Sequence, residues 1–193
     1  MKCFLDMDGV LSDFVGGACK AHGRTIYDKP EHIGKFDMEK LWGISVAEFW
    51  KPTDNYDFWF NLEKTPEADR LVDLAYRSFG RENVAILTSP SLNKECIPAK
   101  RDWLKKYYPG LNKTMICAYG KGFLAGPGRV LVDDRDRNIE DFRQDGGMVV
   151  LVPRLWNKDY DLAGRTWEVV EDRLRQIVTG ECYFKQRMTK GAE

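Results

Sequence analysis

The stretch CFLDMDG, residues 3–9, places two aspartates directly after an apolar run. A single residue separates Asp6 from Asp8, and Gly9 follows them. Carboxylates this close repel each other unless a positive charge offsets the repulsion. Because residues i and i+2 of a strand point to the same side, both side chains can face one site. The stretch therefore predicts an acidic site at the end of a strand, with a solvated Asp-Gly turn as the alternative.

Short apolar runs of the same class recur along the chain. They are VAILTS at 84–89, TMICA at 114–118, RVLVDD at 129–134 and MVVLV at 148–152. Continuous runs of this length suit strands that are buried on both faces, as in a parallel sheet covered by helices. We therefore predict five strands in one α/β unit.

Helical periodicity fills the intervals between these strands. Ala68, Leu71, Val72 and Ala75 follow the spacing of one helix face. We predict that this helix begins with Thr65 as its N-cap and Pro66 as its first residue, and we predict further helices over 98–108, 136–145 and 168–179. Alternating strands and helices indicate a Rossmann-like α/β core with a parallel sheet and right-handed crossovers.

Residues 15–64 break this alternation. They contain Trp42, Trp50, Trp59 and several phenylalanines among turn residues, without a clear strand. We interpret them as a small helical cap inserted after the first strand, and we assign 1–14 and 65–193 to the core. The rings can form the hydrophobic core of the insertion, and one or two of them can instead stack on a ligand.

Composition excludes several classes of protein. Lysine plus arginine equals aspartate plus glutamate, so no basic excess points to a nucleic-acid polymer. No apolar stretch approaches the ~20 residues of a membrane helix. The odd number of cysteines without CxxC spacing, and the strand-like start without an apolar signal core, favour a reduced cytoplasmic setting. Two histidines make a multi-histidine metal site unexpected.

Polar residues end three of the predicted strands, and in an open α/β sheet ligands bind at the carboxyl ends of strands. The ends carry Asp6 and Asp8, Thr88 and Ser89, and Asp133 and Asp134. If these strands are neighbours, their carboxylates need a cation, and oxygen ligands favour Mg²⁺ where a phosphate is bound. One carboxylate can then attack phosphorus while another protonates the leaving oxygen and activates water.

Each of these features also has an ordinary structural explanation. Thr88 and Ser89 precede a proline and suit a plain turn. Asp133 and Asp134 lie near the start of a predicted helix, where acids favour the dipole. Lys121, in a glycine-rich loop, can be a surface lysine; GKG lacks the spacing of a Walker loop. We favour an acidic phosphate-binding site over these structural explanations, because three strand ends would converge at one edge of the sheet.

The motifs resemble a known superfamily. DMDGVLSDF (6–14), ILTSP (86–90), an intervening lysine and VLVDDRDRNI (130–139) resemble the four motifs of the haloacid dehalogenase superfamily of phosphatases. FWFNLEKTPEA (58–68) and AKRDWLKKYYPG (99–110) resemble segments of its 5′(3′)-deoxyribonucleotidase branch. The resemblance implies a core with the superfamily fold and a hydrolase of nucleoside 5′-monophosphates.

The resemblance also implies roles for the acidic residues. Asp6 would be the nucleophile and Asp8 the general acid and base. Mg²⁺ would be held by the Asp6 carboxylate, the Asp8 backbone carbonyl and Asp134. Asp133 would support the site or bind the ion through water.

Other residues would contact the substrate. By the same resemblance, Thr88 would bind the phosphate with Ser89 beside it. Lys121 is the first candidate for the superfamily lysine, and Lys100 is the second. Phe14 would flank the base or the sugar.

We therefore expect a Mg²⁺-dependent phosphomonoesterase that forms an aspartyl phosphate on a nucleoside 5′-monophosphate, more specifically a deoxynucleotide. Two alternatives remain open. The same chemistry can act on a sugar phosphate or a nucleic-acid end, or the fold can be a non-catalytic phosphate-binding domain. We expect a small nucleotide as partner, no membrane and no nucleic-acid polymer, and a homodimer is compatible with the sequence.

Overall fold

The computed structural model describes residues 1–180, so the stretch CYFKQRMTKGAE (182–193), which could be a frayed end or a packing strand, lies outside the described residues. All five predicted strands are confirmed: β1 Lys2–Leu5, β2 Val84–Thr88, β3 Met115–Cys117, β4 Arg129–Asp133 and β5 Met148–Leu151. They form one parallel sheet in the order β3-β2-β1-β4-β5. The Rossmann-like α/β prediction is therefore correct.

The strands are buried because their side chains alternate between two apolar layers. Cys3 and Leu5 pack into the larger hydrophobic cluster, whereas Phe4 packs into a second cluster with Leu131 and Phe142. Leu5 lies opposite Ile86 of β2 and Val132 of β4 in the parallel register. Because these strands end level with one another, the residues that follow them lie at one edge of the sheet.

Eight α-helices accompany the sheet in the described part of the chain. They are α1 Phe14–His22, α2 Met38–Trp42, α3 Val46–Trp50, α4 Tyr56–Phe60, α5 Ala68–Phe79, α6 Cys96–Tyr107, α7 Asp136–Gln144 and α8 Thr166–Thr179. None of the helices within residues 1–180 is both long enough and apolar enough to cross a bilayer.

Three predicted helix starts are wrong, and that of α8 is wrong by two residues, because the helix begins at Thr166 and not at 168. Helix α5 begins at Ala68, and Thr65 does not cap it, because the Thr65 hydroxyl instead donates to the Val10 carbonyl at 2.6 Å. A tertiary hydrogen bond therefore replaces the predicted N-cap. Helix α6 begins at Cys96, so Pro98 lies within its first turn, where a missing N–H costs nothing.

The insertion, residues 15–64, contains most of α1 and all of α2, α3 and α4. Three of these helices have only five residues, and helices this short are not stable alone. Aromatic side chains hold them together: the Phe14 ring stacks on Trp59 at 5.5 Å between centroids, and Trp50 lies 6.3 Å from Trp59. The structure of this region therefore depends on aromatic packing more than on helix propensity.

The chain leaves the core and returns to it at one place. The Asp13 amide donates to the Glu63 carbonyl at 2.8 Å, and the Thr65 amide donates to the Leu11 carbonyl at 2.9 Å. An isolated antiparallel bridge joins Ser12 to Lys64 between them. We call this pair of segments, 11–13 and 63–65, the neck.

Candidate active site

Three aspartates from two neighbouring strand ends form a buried acidic cluster. Asp6 follows β1, Asp133 ends β4 and Asp134 comes next; they are 6%, 0% and 4% exposed. One carboxylate oxygen from each lies within 4.8 Å of the others. The β1–β4 register explains the proximity, because Leu5 lies opposite Val132 immediately before the carboxylates.

Lys121 is the cation nearest to this cluster. It begins a single 3₁₀ turn, Lys121–Leu124, and its Nζ lies 2.6 Å from both Asp6 Oδ1 and Asp133 Oδ2. Burial by itself would lower the pKa of the Lys121 ammonium, but the charges of Asp133 and Asp6 outweigh it and raise that pKa. Lys121 therefore remains charged, and it supplies one positive charge for three carboxylates.

The charge and the oxygen ligands of the cluster suit a further cation. Burial, assisted by the neighbouring carboxylates, raises the pKa of Asp134 well above the ordinary carboxyl range. Burial also raises the pKa of Asp6, against the opposing effect of Lys121. Asp6 Oδ1 is at ion-pair distance from Lys121 but has no hydrogen-bond donor in suitable geometry. Buried oxygen ligands that lack compensating charge fit a hard divalent ion.

Asp133 is oriented by its own loop. Its Oδ1 accepts a hydrogen bond from the Arg135 amide at 2.8 Å, and its Oδ2 accepts one from Asn138 Nδ2 at 3.0 Å. With Lys121 also bound to Oδ2, the carboxylate is held from several sides. Asp133 therefore has little freedom to move toward a ligand, which agrees with a supporting position.

Asp134 is held by residues that the sequence analysis did not identify. Trp156 Nε1 donates to Asp134 Oδ2 at 2.6 Å, and Asn157 Nδ2 donates to the Asp134 carbonyl at 2.7 Å. Both residues follow the apolar run 148–152 within the sequence RLWN. The sequence did contain a signal for these two residues. They follow the last apolar run, and residues that follow the strands of this sheet lie at the edge where ligands bind.

A second ion pair joins β1 to the helix after β2. Lys100, fully buried on α6, donates from Nζ to the Asp8 carboxylate, to Thr88 Oγ1 at 2.9 Å and to the Ser89 carbonyl at 3.0 Å. Burial alone would lower the pKa of the Lys100 ammonium, but the charge and hydrogen bond of Asp8, assisted by other neighbours including Asp6, together raise that pKa. The Trp59 ring covers the ammonium, which lies 4.9 Å from the ring centroid.

The two lysines therefore occupy different positions in the site. Lys121 binds Asp6 and Asp133, whereas Lys100 joins Asp8 to Thr88. Thr88 is fully buried, and its hydroxyl accepts the bond from Lys100. The structure thus brings all the predicted polar residues to one edge of the sheet, and the two lysines pair with different aspartates.

Gly9 allows the chain to turn sharply directly after Asp6 and Asp8. Its φ of 76° lies in the left-handed region, where side chains are disfavoured. A Cβ at this position would overlap the Asp134 carboxylate and contact the Trp156 ring. Only glycine therefore permits this close packing of the β1 and β4 loops.

A cavity of about 340 Å³ opens above the carboxylates. Asp6, Asp8 and Asp134 line its acidic end, and Ser89 lies on its wall. Residues 14–59 form much of the remaining wall. Four of its rings, Phe14, Phe49, Trp50 and Trp59, also pack in the apolar clusters of this region. These rings are both the packed interior of the insertion and the lining of the cavity, so the two sequence interpretations are not exclusive.

Comparisons with known proteins agree with this geometry. A family model described as "5′ nucleotidase, deoxy (Pyrimidine), cytosolic type C protein" matches residues 1–183. The chain is 29% identical over 149 residues to the mitochondrial 5′(3′)-deoxyribonucleotidase of Homo sapiens, covering 70% of this chain and 62% of that protein. The chain thus spans less than two thirds of the length of this relative.

Two further similarities extend the comparison. The chain is 25% identical over 177 residues to the 5′(3′)-deoxyribonucleotidase of Bacillus subtilis (strain 168), covering 88% of this chain and 96% of that protein. A haloacid dehalogenase-like hydrolase of Streptococcus pneumoniae superposes with a TM-score of 0.50 at 13% identity, covering 84% and 89% of the two chains. At that identity the likeness supports the fold alone.

Proposed function

We propose a function from the premise that the chain belongs to the family of cytosolic type C deoxy (pyrimidine) 5′ nucleotidases, whose model matches residues 1–183. The chain is a Mg²⁺-dependent phosphomonoesterase that hydrolyses nucleoside 5′-monophosphates, with deoxynucleotides preferred. The observation that carries this proposal is the trio of buried carboxylates of Asp6, Asp133 and Asp134, within 4.8 Å of one another below an aromatic cavity. The names of the relatives support the substrate class.

The metal would be held by the Asp6 and Asp134 carboxylates and the Asp8 carbonyl, with Asp133 beside them. When bound, Mg²⁺ supplies positive charge that neutralises the cluster and the phosphoryl oxygens. The uncompensated buried carboxylates support this assignment, as do the bonds that Trp156 and Asn157 make to Asp134.

Asp6 is the nucleophile. A carboxylate oxygen of Asp6 attacks phosphorus, the bond from phosphorus to the 5′ oxygen breaks, and an aspartyl phosphate remains on the enzyme. Lys121 holds the attacking carboxylate at the sheet edge through its contact at 2.6 Å. Its fixed charge also stabilises the charge that develops on the phosphoryl group.

Asp8 transfers the protons. It donates a proton to the leaving 5′ oxygen, and in the second step it accepts one from the water that attacks the aspartyl phosphate. Ser12 donates to Asp8 Oδ1 at 3.1 Å, and Lys100 holds the other oxygen. Thr88 and Ser89, next to Lys100, receive the phosphate oxygens.

The insertion binds the nucleoside. Phe14 and the neighbouring rings line the cavity above the carboxylates and offer flat apolar surface to a base or a sugar. The insertion is a cap on the 1–14 and 65–193 core, and it opens and closes over the substrate. A small cavity favours a mononucleotide over a polymer.

A panel of phosphomonoesters tests the proposal. It contains deoxynucleoside and ribonucleoside 5′-monophosphates, sugar phosphates and a 5′-phosphorylated oligonucleotide, each with Mg²⁺ and with EDTA. We expect deoxynucleotides to give the highest kcat/KM, by about tenfold or more over sugar phosphates, and only with Mg²⁺. A sugar phosphate or an oligonucleotide as the best substrate would support the corresponding alternative. Phosphate binding without turnover would support a non-catalytic domain.

Two properties of the whole protein belong to the same proposal. The described cysteines, Cys3, Cys19, Cys96 and Cys117, are all free, which suits a reduced cytoplasmic setting. We also propose a homodimer, and light scattering of the purified chain measures its mass directly.

A further inference from the structure

Arg154 binds the turn that follows Asp6 and Asp8. Its Nε donates to the Gly9 carbonyl at 2.8 Å, and its Nη2 donates to Glu67 Oε2 at 3.0 Å. The two side chains of this ion pair are only 11% and 19% exposed. Within residues 1–180, Arg154 is not among the residues that line the cavity. Arg154 can therefore influence the reaction only through the residues that it holds.

The turn at Gly9 depends on bonds from outside it. Glycine has no Cβ, so its dihedral angles are less restricted than those of other residues. The Gly9 N–H belongs to the same planar peptide unit as the Asp8 carbonyl, and it donates to the Ser12 carbonyl at 2.7 Å. The Gly9 carbonyl, in the next peptide unit, accepts the bond from Arg154. The two bonds together restrict the rotation of the peptide unit that carries the Asp8 carbonyl.

The chain around Arg154 also positions Asp134. The Arg154 amide donates to Asn157 Oδ1 at 3.3 Å, and Asn157 Nδ2 donates to the Asp134 carbonyl. The charge of Arg154 acts on the same carboxyl group, because burial raises the pKa of Asp134 and Arg154 is among the groups that oppose the rise. Residues 154–157 therefore connect the two segments that carry the proposed metal ligands.

We infer that Arg154 is a positioning residue of the metal site, because its guanidinium fixes the Gly9 turn and so keeps the Asp8 carbonyl in place to bind Mg²⁺. The inference rests on the proposed function, which supplies the metal. Two effects of Arg154 on a cation have opposite signs. Its charge repels the ion, so charge alone predicts that loss of Arg154 strengthens Mg²⁺ binding. Positioning predicts weaker binding, because groups that orient metal ligands contribute about 10–100-fold to affinity.

The test measures the Kd for Mg²⁺ by isothermal titration calorimetry without substrate and, independently, from the Mg²⁺ dependence of kcat/KM. It compares the wild type with Arg154→Met and Arg173→Met. Arg173 is the matched control, because its guanidinium also binds one carboxylate, that of Asp159, and one backbone carbonyl, that of Leu151 at 2.7 Å. We expect Arg154→Met to raise the Kd by about tenfold or more, and Arg173→Met to leave it unchanged.

The other outcomes overturn the inference. An unchanged Kd in Arg154→Met would show that the turn holds without the guanidinium, and a lower Kd would show that the charge only repels the ion. An equal rise in Arg173→Met would mean that general loosening of the fold weakens the site. A wild type that neither binds Mg²⁺ nor hydrolyses a nucleotide with it would instead refute the proposed function itself.

A second variant keeps the test valid if Arg154→Met does not fold, which circular dichroism with EDTA detects. Arg154→Lys retains the charge, but a single ammonium cannot reproduce the fixed fork with which the guanidinium binds Gly9 and Glu67 together. We expect its Kd for Mg²⁺ to lie above that of the wild type and below that of a folded Arg154→Met. A Kd equal to that of the wild type would overturn the inference.

Discussion

The sheet and the insertion are stabilised in different ways. In the sheet, continuous backbone pairing fixes β1, β2 and β4 in register, and apolar side chains cover both faces. In the insertion, helices of five residues are joined by ring contacts and by capping bonds. The acidic cluster thus lies where continuous backbone pairing fixes its position, whereas the insertion that lines the cavity depends on side-chain packing.

The largest expected loss of activity comes from replacing Asp6, at the carboxyl edge of the sheet. Asp6→Asn should lower kcat/KM at least about 10⁴-fold, because an amide cannot attack phosphorus. The fold should remain, since the amide occupies the same space and carries no buried charge. Steady-state kinetics and circular dichroism measure both effects. Asp57→Asn, at an exposed site of the insertion, is the matched control. Phosphatase activity that survives in Asp6→Asn would show that the nucleophile is misassigned.

Replacing Lys100, the buried lysine beside the insertion, should lower kcat/KM less than replacing Asp6. Lys100→Met removes the charge that joins Asp8 to Thr88, and we expect a loss of about 10²–10³ in kcat/KM. Lys105→Met, at an exposed position of the same helix, should leave kcat/KM unchanged. Equal kcat/KM in the two variants would show that Lys100 does not contribute to catalysis.

The insertion should unfold locally when its aromatic packing is lost. Trp59→Ala creates a cavity in the ring cluster, and we expect a loss of about 3–5 kcal/mol of local stability. Hydrogen exchange should accelerate in α1 and α4 while β1 and β4 keep their protection. Trp59→Phe keeps a ring and removes an indole N–H that has no acceptor, so it should cost far less. Equal loss of protection in the sheet and the insertion would show a single cooperative unit.

The acidic cluster should make stability depend on pH and on metal. The folded-state pKa values of Asp6 and Asp134 are raised, so across the window from the ordinary carboxyl pKa to these raised values the folded chain binds more protons than the unfolded chain. The contribution of these groups to stability therefore falls as pH rises through that window.

Mg²⁺ should reverse this penalty by binding the ionised carboxylates. We expect Mg²⁺ to raise the Tm by several degrees at about pH 8 and by less at about pH 5.5, measured by thermal unfolding with EDTA as the reference. Asp134→Asn should reduce the shift. A larger Mg²⁺ effect in acid would contradict the metal assignment.

The smallest effect concerns the ends of the short helices. Ser45 and Glu48 form a complete capping box at the start of α3. Ser45→Ala should cost about 1 kcal/mol, whereas Ser45→Thr keeps the acceptor and should cost less. Urea unfolding measures the difference, and equal losses in the two variants would mean that the hydroxyl bond contributes nothing.

The sequence is most informative where local patterns determine the structure. Apolar runs identified the strands because both faces of this sheet are buried, and strand ends such as Asp6 and Asp134 followed from topology. The N-cap at Thr65 failed because a bond to Val10, distant in sequence, is stronger than the local preference. The Trp156–Asp134 bond and the separate partners of Lys100 and Lys121 depend on tertiary distances, which a single sequence does not encode locally.

The neck has a consequence for protein engineering. Because the Asp13 and Glu63 backbones meet at 2.8 Å, the ends of the insertion are as close as the ends of a short loop. A segment of another length can therefore join the core at the same two points, but it must also cover the face of α6 on which Trp59 and Leu62 pack. Chimeras that exchange this segment between family members would test whether it determines substrate choice.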